Sequence, residues 1–298
     1  MIEVKDAVMQ FDGKNALDGI TLSIPEGCAY GLLGSNGAGK STLLRLLSGI
    51  YRPVSGEVRI DGNEVFDNAL MKERVFFIND ETVQFNNMTL TDMKNYFKRF
   101  YSTFSEELWQ KLYSTLNLPL KKRLSTFSKG MKRQAVVICG IACKTPYLFL
   151  DEAFDGLDPT MRIIVKQMLI DAMMDTGLTV IFSSHNLGEI DEFCDRVGLL
   201  HAGKVVFDRE LDSVKGSVFK IQTAFDAPVT KESFAGIDVL HIENTGSITH
   251  MIVRGEREEV RAAVEKLSPK LYDEVPLSLE EIFIYEMEVL GYDSSKLG

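Results

Sequence analysis

Apolar and polar residues alternate with a period of two over residues 2 to 10 and 20 to 24, the pattern of half-buried strands on either side of a polar loop, Asp12-Gly13-Lys14-Asn15. Cys28 to Leu33 is a continuous apolar run, which predicts a strand buried on both faces, and Ser41 to Ser48 then repeats leucine at helical spacing. Val58 to Ile60 and Val65-Phe66 flank Asp61-Gly62 as a hairpin, and Val75 to Ile78 reads as a further buried strand. From Thr89 to about Thr145 the period becomes helical. Met93, Tyr96, Phe97 and Phe100 share one face and Leu108, Trp109, Leu112 and Leu116 another, so a helical subdomain is expected over about residues 86–145. Strands return at Tyr147 to Leu150 and Thr179 to Ser183 with a helix from Pro159 to about Asp175 between them, the alternation of a parallel sheet. Val197 to Leu200 and Val205 to Phe207 close this region as a hairpin around Ala202-Gly203.

After Gly216 the organisation starts afresh. Strands at 218–223, 239–242, 248–254 and 271–275, a short helix at 231–234 and a longer one at 256–267 spell βαββαβ, the ferredoxin-like order, and a last helix covers 279–290. The expected division is therefore residues 1–215 and a small α+β domain at 216–298. An irregular packing extension is the alternative reading of the second part.

Composition narrows the function. The chain of 298 residues has a net charge of -10, so it lacks the basic field that nucleic-acid binding requires. Its longest apolar stretch, Ala135 to Cys143, falls far short of the roughly 20 residues of a membrane-spanning helix. Met1 opens directly into charged, strand-like sequence, and no secretory leader is expected. Cys28, Cys139, Cys143 and Cys194 show no metal-binding spacing and sit in apolar segments, as buried free thiols do.

One segment carries recognisable chemistry. Gly34-Ser35-Asn36-Gly37-Ala38-Gly39-Lys40-Ser41, followed by Thr42, fits G-x-x-x-x-G-K-[ST] between a predicted strand and a predicted helix. Such a loop turns its N–H groups inward around phosphate oxygens. Lys40 would reach the β- and γ-phosphates, and the Ser41 hydroxyl would ligate Mg2+. A second segment, Tyr147 to Glu152, delivers two acids to the carboxyl end of a buried strand, the edge at which open α/β sheets bind ligands. Asp151 would hold Mg2+, directly or through water, and Glu152 would orient the attacking water. Alone, such a pair is more often a helix cap; beside a phosphate loop it reads as catalytic.

Taken together with three further segments, these residues resemble the nucleotide-binding subunits of ATP-binding cassette (ABC) transporters over roughly the first 215 residues. Phe127-Ser128-Lys129-Gly130-Met131 resembles the family's signature segment in its S-K-G-M variant, which leans toward exporters. Gly156-Leu157-Asp158-Pro159 resembles the D-loop, and His185 after Ile181-Phe182-Ser183-Ser184 the switch histidine. Phe11 matches the aromatic that stacks on adenine. The resemblance implies an α/β P-loop NTPase of the cassette type: a mixed sheet core, an antiparallel β subdomain and an inserted helical subdomain. It implies an ATPase that binds Mg-ATP between two head-to-tail cassettes, with Ser128 and Gly130 acting on the opposite subunit's nucleotide and Asp158 reaching across the seam. The second cassette would be an identical or a related chain, and a separate membrane permease would dock near Phe85 to Tyr101 on the cytoplasmic face.

Each residue also has a plainer reading. Ser128 and Asp158 suit helix N-caps, with Pro159 opening the second helix; Phe11 suits a core aromatic and His185 a surface residue. Two other functions compete: a soluble cassette ATPase acting on ribosomes or nucleic acid, and a catalytically silent regulator. One P-loop, no sustained heptads and a negative charge disfavour the first, and retention of Lys40, Asp151, Glu152 and His185 disfavours the second.

One departure from the family pattern stands out: where a glutamine is usual, counting back from Met88-Thr89-Leu90 finds Asp80. A carboxylate can still serve Mg2+ as an oxygen ligand but cannot donate a hydrogen bond as an amide does. Asp80→Ala is expected to leave ATP binding nearly intact, measured by equilibrium titration, and to weaken hydrolysis or its coupling to transport; unchanged coupled activity would refute the assignment.

Overall fold

The computed structural model describes residues 1–79, 85, 87–226, 229–234, 236–275 and 277–289, the last four of these as backbone only. Asp80 lies outside the described residues. The chain divides into two compact units, Met1–Asn186 with Phe193–Asp208, and Leu187–Glu192 with Arg209–Gly298.

The first unit opens with β1 (Ile2–Phe11) and β2 (Lys14–Ile24), paired antiparallel from Phe11 opposite Lys14 to Ile2 opposite Ile24. The expected polar loop is thus only a two-residue turn: Asp12 and Gly13 both take positive φ, which lets the strand resume at Lys14 rather than at residue 20. Then follow β3 (Ala29–Leu33), α1 (Lys40–Leu47), β4 (Ser55–Ile60) and β5 (Asn63–Glu64). Asp61 and Gly62 form a second tight turn of the same kind, so the hairpin closes at Asn63–Glu64 and not at Val65-Phe66. These strands make a four-stranded sheet in the order β2-β1-β4-β5.

A short α2 (Ala69–Lys72) leads to β6 (Val75–Ile78) and the helical subdomain: α3 (Leu90–Phe100), α4 (Glu106–Leu116) and α5 (Lys129–Ala142). Thr89 and Asp92 start α3 with a reciprocal capping box. Of the expected apolar face of α3, Met93 is buried and Phe97 half-buried, whereas Tyr96 and Phe100 are exposed and stack with each other at 4.8 Å between ring centroids. β7 (Tyr147–Asp151), α6 (Pro159–Thr176), β8 (Thr179–Ser184), β9 (Arg196–His201) and β10 (Lys204–Glu210) complete a six-stranded sheet in the order β10-β9-β3-β8-β7-β6, while α7 (Leu187–Phe193), between β8 and β9 in the chain, falls almost wholly in the second unit. The pairs β3–β8, β3–β9, β6–β7 and β7–β8 are parallel.

Leucines 43, 44, 46 and 47 of α1 share one buried cluster with Ile2, Val4, Ile20 and Leu22 from the antiparallel sheet and with Tyr30, Leu32, Phe149 and Ile181 from the parallel one. An eight-residue helix is marginal by itself. Each of these leucines contributes about 1.5–3 kcal/mol on burial, so packing from both sheets holds the helix where the phosphate loop needs it.

The second unit adds α8 (Leu211–Ser217), β11 (Val218–Ala224), β12 (Asp238–Thr245), β13 (Ile248–Arg254), α9 (Arg257–Glu265), β14 (Leu271–Val275) and α10 (Leu279–Val289). Its sheet runs β12-β13-β11-β14 and is antiparallel throughout. That is the ferredoxin-like arrangement with the first helix reduced to a three-residue turn, Lys231–Ser233. Its core joins Phe219, Ile221, Met251 and Val253 of the sheet to Val260 and Val264 of α9.

In the first unit the N-terminus is tied down by a partly exposed polar knot. The Met1 ammonium donates to Asp61 Oδ1 (2.7 Å) and to the Tyr147 hydroxyl (2.7 Å), Tyr147 donates to Asp61 Oδ1 (2.5 Å), and Arg74 donates to Asp61 Oδ2 (2.7 Å). Burial pushes the Asp61 carboxyl up, but the bonds from the ammonium, Tyr147 and Arg74 outweigh it and hold the group at about 2. A depressed folded value stabilises the native state above the unfolded value near 4, and that contribution is lost as pH falls toward 2. Asp61→Asn should lower stability at pH 7 by about 1–3 kcal/mol and flatten its decline between pH 4 and 2, measured by urea unfolding across that range.

Candidate functional site

The strand order puts β8 between β3 and β7, so the carboxyl ends of three adjacent parallel strands meet at one edge. β3 delivers the loop Gly34 to Gly39, β7 delivers Asp151 and Glu152, and β8 delivers Ser183 and Ser184 with His185 just beyond. The site is built by this adjacency.

The loop is shaped by close backbone approach. A Cβ on Gly34 would lie 2.4 Å from the Leu200 carbonyl oxygen and 2.9 Å from the Ala38 Cβ, so only glycine fits where the chain leaves β3. Gly37 and Gly39 take positive φ, and Gly39 is the residue before the first turn of α1. Ser35 is half-buried, Asn36 exposed and Ala38 buried, while Ser41 and Thr42 sit half-buried in that first turn. Lys40 folds back inside the loop: its ammonium donates to the carbonyls of Gly34 (2.6 Å) and Ser35 (3.3 Å) and lies 3.8 Å from Glu152 Oε1. Its burial, with 5% of the residue exposed, pushes the ammonium below its ordinary value, against the attraction of Glu152 and Asp151.

Asp151 is fully buried. Its Oδ1 accepts a hydrogen bond from the Ser183 hydroxyl (2.6 Å), whereas its Oδ2 is buried with no hydrogen-bond partner among the described residues. A carboxylate oxygen in that position is costly unless a cation meets it, and an all-oxygen donor of this kind suits a hard ion such as Mg2+. Glu152 follows in the left-handed region at φ 46°. Its N–H donates to the Ser183 hydroxyl (3.0 Å) and carbonyl (3.3 Å), and its carboxylate stands 3.6 Å from His185 Nδ1 as well as beside Lys40. His185 keeps 54% of its side chain exposed and so faces the open side of this edge.

The remaining candidates form other groups. Ser128 caps α5 by accepting from the Met131 N–H (3.1 Å), and Asp158 caps α6 by accepting from the Met161 N–H (3.0 Å) behind Pro159. Gly130 presses on the loop before α6, since a Cβ there would be 2.7 Å from the Gly156 carbonyl oxygen. Ser128, Gly130 and Asp158 therefore gather at one joint. Phe11 is 43% exposed and packs edge-on against Tyr51 at 5.4 Å. Among the described residues none of these four bonds to Lys40, Asp151, Glu152 or His185. All four cysteines are free and buried, and burial pushes the Cys139 thiol up to about 12. Sequence reasoning overlooked Ser183; the signal was present, because two hydroxyl residues end an otherwise apolar strand.

Gly34→Ala should force the loop off Leu200, costing about 1–3 kcal/mol of stability and removing nucleotide binding, as read by thermal unfolding with and without ATP. Retained binding at full affinity would show that this contact does not shape the loop.

The family model described as "ABC transporter" matches residues 17–155. The chain is 28% identical over 284 residues to the ABC transporter ATP-binding protein YtrB of Bacillus subtilis (strain 168), covering 95% of this chain and 97% of that protein. It is 30% identical over 223 residues to the daunorubicin/doxorubicin resistance ATP-binding protein DrrA of Streptomyces peucetius, covering 73% of this chain and 67% of that protein. A solved structure described as the ATP-binding subunit of an ABC transporter superposes with a TM-score of 0.67 at 26% identity, over 72% of this chain and 92% of the other. With a phosphate loop, two acids and a histidine converging at one sheet edge, the chain belongs to the ATP-binding subunits of ABC transporters and is an ATPase.

Proposed function

We propose that the chain binds Mg-ATP at the edge of the parallel sheet and hydrolyses it between two cassettes arranged head to tail, driving transport through a separate membrane permease from the cytoplasmic face. The observation that supports this most is the pairing of Asp151 and Glu152 beside Lys40, with one Asp151 oxygen lacking a hydrogen-bond partner among the described residues. The loop N–H groups and Lys40 bind the phosphates, and Phe11 stacks on adenine. The Ser41 hydroxyl and Asp151 would hold Mg2+, with Asp80 as a further oxygen ligand; the ion supplies charge compensation on the transferring phosphoryl group.

Glu152 accepts a hydrogen bond from water and aims its oxygen at the γ-phosphorus. As the water oxygen bonds to the γ-phosphorus, the bond to the β,γ-bridging oxygen breaks and its electron pair stays with ADP; the water's proton passes to the Glu152 carboxylate or a phosphate oxygen, leaving ADP and inorganic phosphate. His185, next to Glu152, contacts the γ-phosphate and senses its loss. Ser128, Gly130 and Asp158 of the second copy complete the site, so ATP favours the closed dimer and hydrolysis withdraws that preference. Exposed Phe100 and Tyr96, with Phe85, offer the permease an aromatic surface. The resistance function named for DrrA and the S-K-G-M segment favour export.

Replacing Glu152 by Gln should lower steady-state ATPase activity at least about 100-fold and trap an ATP-loaded dimer detectable by sedimentation. Full activity would remove Glu152 from its role, and an ATP-loaded variant that stays monomeric would sink the dimer reading.

A further inference from the structure

The geometry points to Ser183 as a positioning residue that sets the metal-facing oxygen of Asp151 and the place of Glu152 together. This rests on the proposed roles of those two acids. Ser183 is fully buried and pairs directly with Asp151 in the parallel ladder. Its hydroxyl has one proton to give and gives it to Asp151 Oδ1 at 2.6 Å, while it accepts the Glu152 N–H at 3.0 Å. The bonds run in one direction, from the Glu152 amide through the hydroxyl to the carboxylate.

Two consequences follow for the chemistry. By engaging Oδ1, the hydroxyl stops the carboxylate from turning about its χ2 torsion and leaves Oδ2 as the oxygen offered to a cation. By accepting the Glu152 N–H, which also reaches the Ser183 carbonyl at 3.3 Å, it steadies a peptide in the left-handed region, which a residue with a long side chain rarely adopts. The Glu152 carboxylate is thereby kept 3.8 Å from Lys40 and 3.6 Å from His185. Ser183 also precedes His185 by two residues at the end of β8, so one strand terminus registers the acid, the water-orienting group and the histidine.

Loss of an outer partner of a metal-holding carboxylate typically costs 10–100-fold in metal affinity or activity. Ser183→Ala should therefore lower kcat by about 10–100-fold with little change in KM for ATP. It should also raise the Mg2+ concentration needed for half-maximal binding of a non-hydrolysable ATP analogue by about tenfold. Affinity for the same analogue in the presence of EDTA should stay close to that of the parent protein. Ser183→Thr, which keeps the hydroxyl, should restore both the Mg2+ response and kcat to near parental values, with thermal unfolding confirming that each variant folds.

A Ser183→Ala protein with parental kcat and Mg2+ response would overturn the proposal, as would Ala and Thr variants that are equally impaired. Asp151→Asn separates this from failure of the underlying reading: if that variant keeps the parental Mg2+ dependence, Asp151 does not hold the ion and both fall. If it loses that dependence while Ser183→Ala does not, only the positioning role is wrong.

Discussion

Removal of two opposite charges from water at one sheet edge is the constraint from which the rest of the architecture follows. Lys40 and Asp151 are both buried, and neither is neutralised by the other through a short ion pair. At about 4 Å and an effective dielectric near 20, attraction between an ammonium and a carboxylate is worth about 4 kcal/mol. The nearest such carboxylate, Glu152, is 3.8 Å away, yet the Lys40 ammonium remains below its ordinary value, so burial outweighs attraction. Backbone carbonyls of Gly34 and Ser35 and the Ser183 hydroxyl make the arrangement tolerable without completing it. In the proposed reading, a triphosphate beside Lys40 and a cation beside Asp151 Oδ2 would supply the missing charges and make this edge a binding site.

That constraint explains the order of the parallel strands. β8 has to lie between β3 and β7 if one serine is to touch both acids' backbone or side chains while the phosphate loop approaches from the other side. It also explains why α1 is packed from both faces: a helix of eight residues would fray, and its first turn carries Lys40, Ser41 and Thr42. Packing energy spent on four leucines becomes positional precision at the phosphate loop.

Much of this was legible in the chain itself, for identifiable reasons. Continuous apolar runs ending in Gly34 or in Asp151-Glu152 announce buried parallel strands, and their acids and glycines can only sit at the carboxyl ends. The ferredoxin-like order of the second unit followed from alternation and helix spacing, and its all-antiparallel sheet closes its own core around Phe219, Ile221 and Met251. Turn length was less legible. Asp12 and Asp61 adopt positive φ beside a glycine, which shortens both hairpins relative to what polar runs suggest. Helical spacing placed Tyr96 and Phe100 on an apolar stripe with Met93, but periodicity reports a shared face and cannot tell whether that face is covered. Ser183 was missed because a hydroxyl within a strand has no distinguishing period; its meaning lies in a neighbour 32 positions away.

The second group of candidates bears on how such a site is completed. In α5 the Ser128 hydroxyl takes the N–H of Met131, leaving those of Lys129 and Gly130 at the helix tip without a partner among the described residues. The helix dipole adds positive potential there, and the absence of a side chain on Gly130 lets the tip sit against Gly156, the loop that Asp158 ends. In the proposed dimer, an α5 tip and a Gly156–Asp158 loop that moved as one piece would couple recognition of a phosphate to the end of β7, since the chain leaves that strand at Glu152. Contact made by a neighbouring copy's tip would then be felt at the residue that orients water, so assembly and catalysis would rise and fall together without any long-range distortion of the sheet.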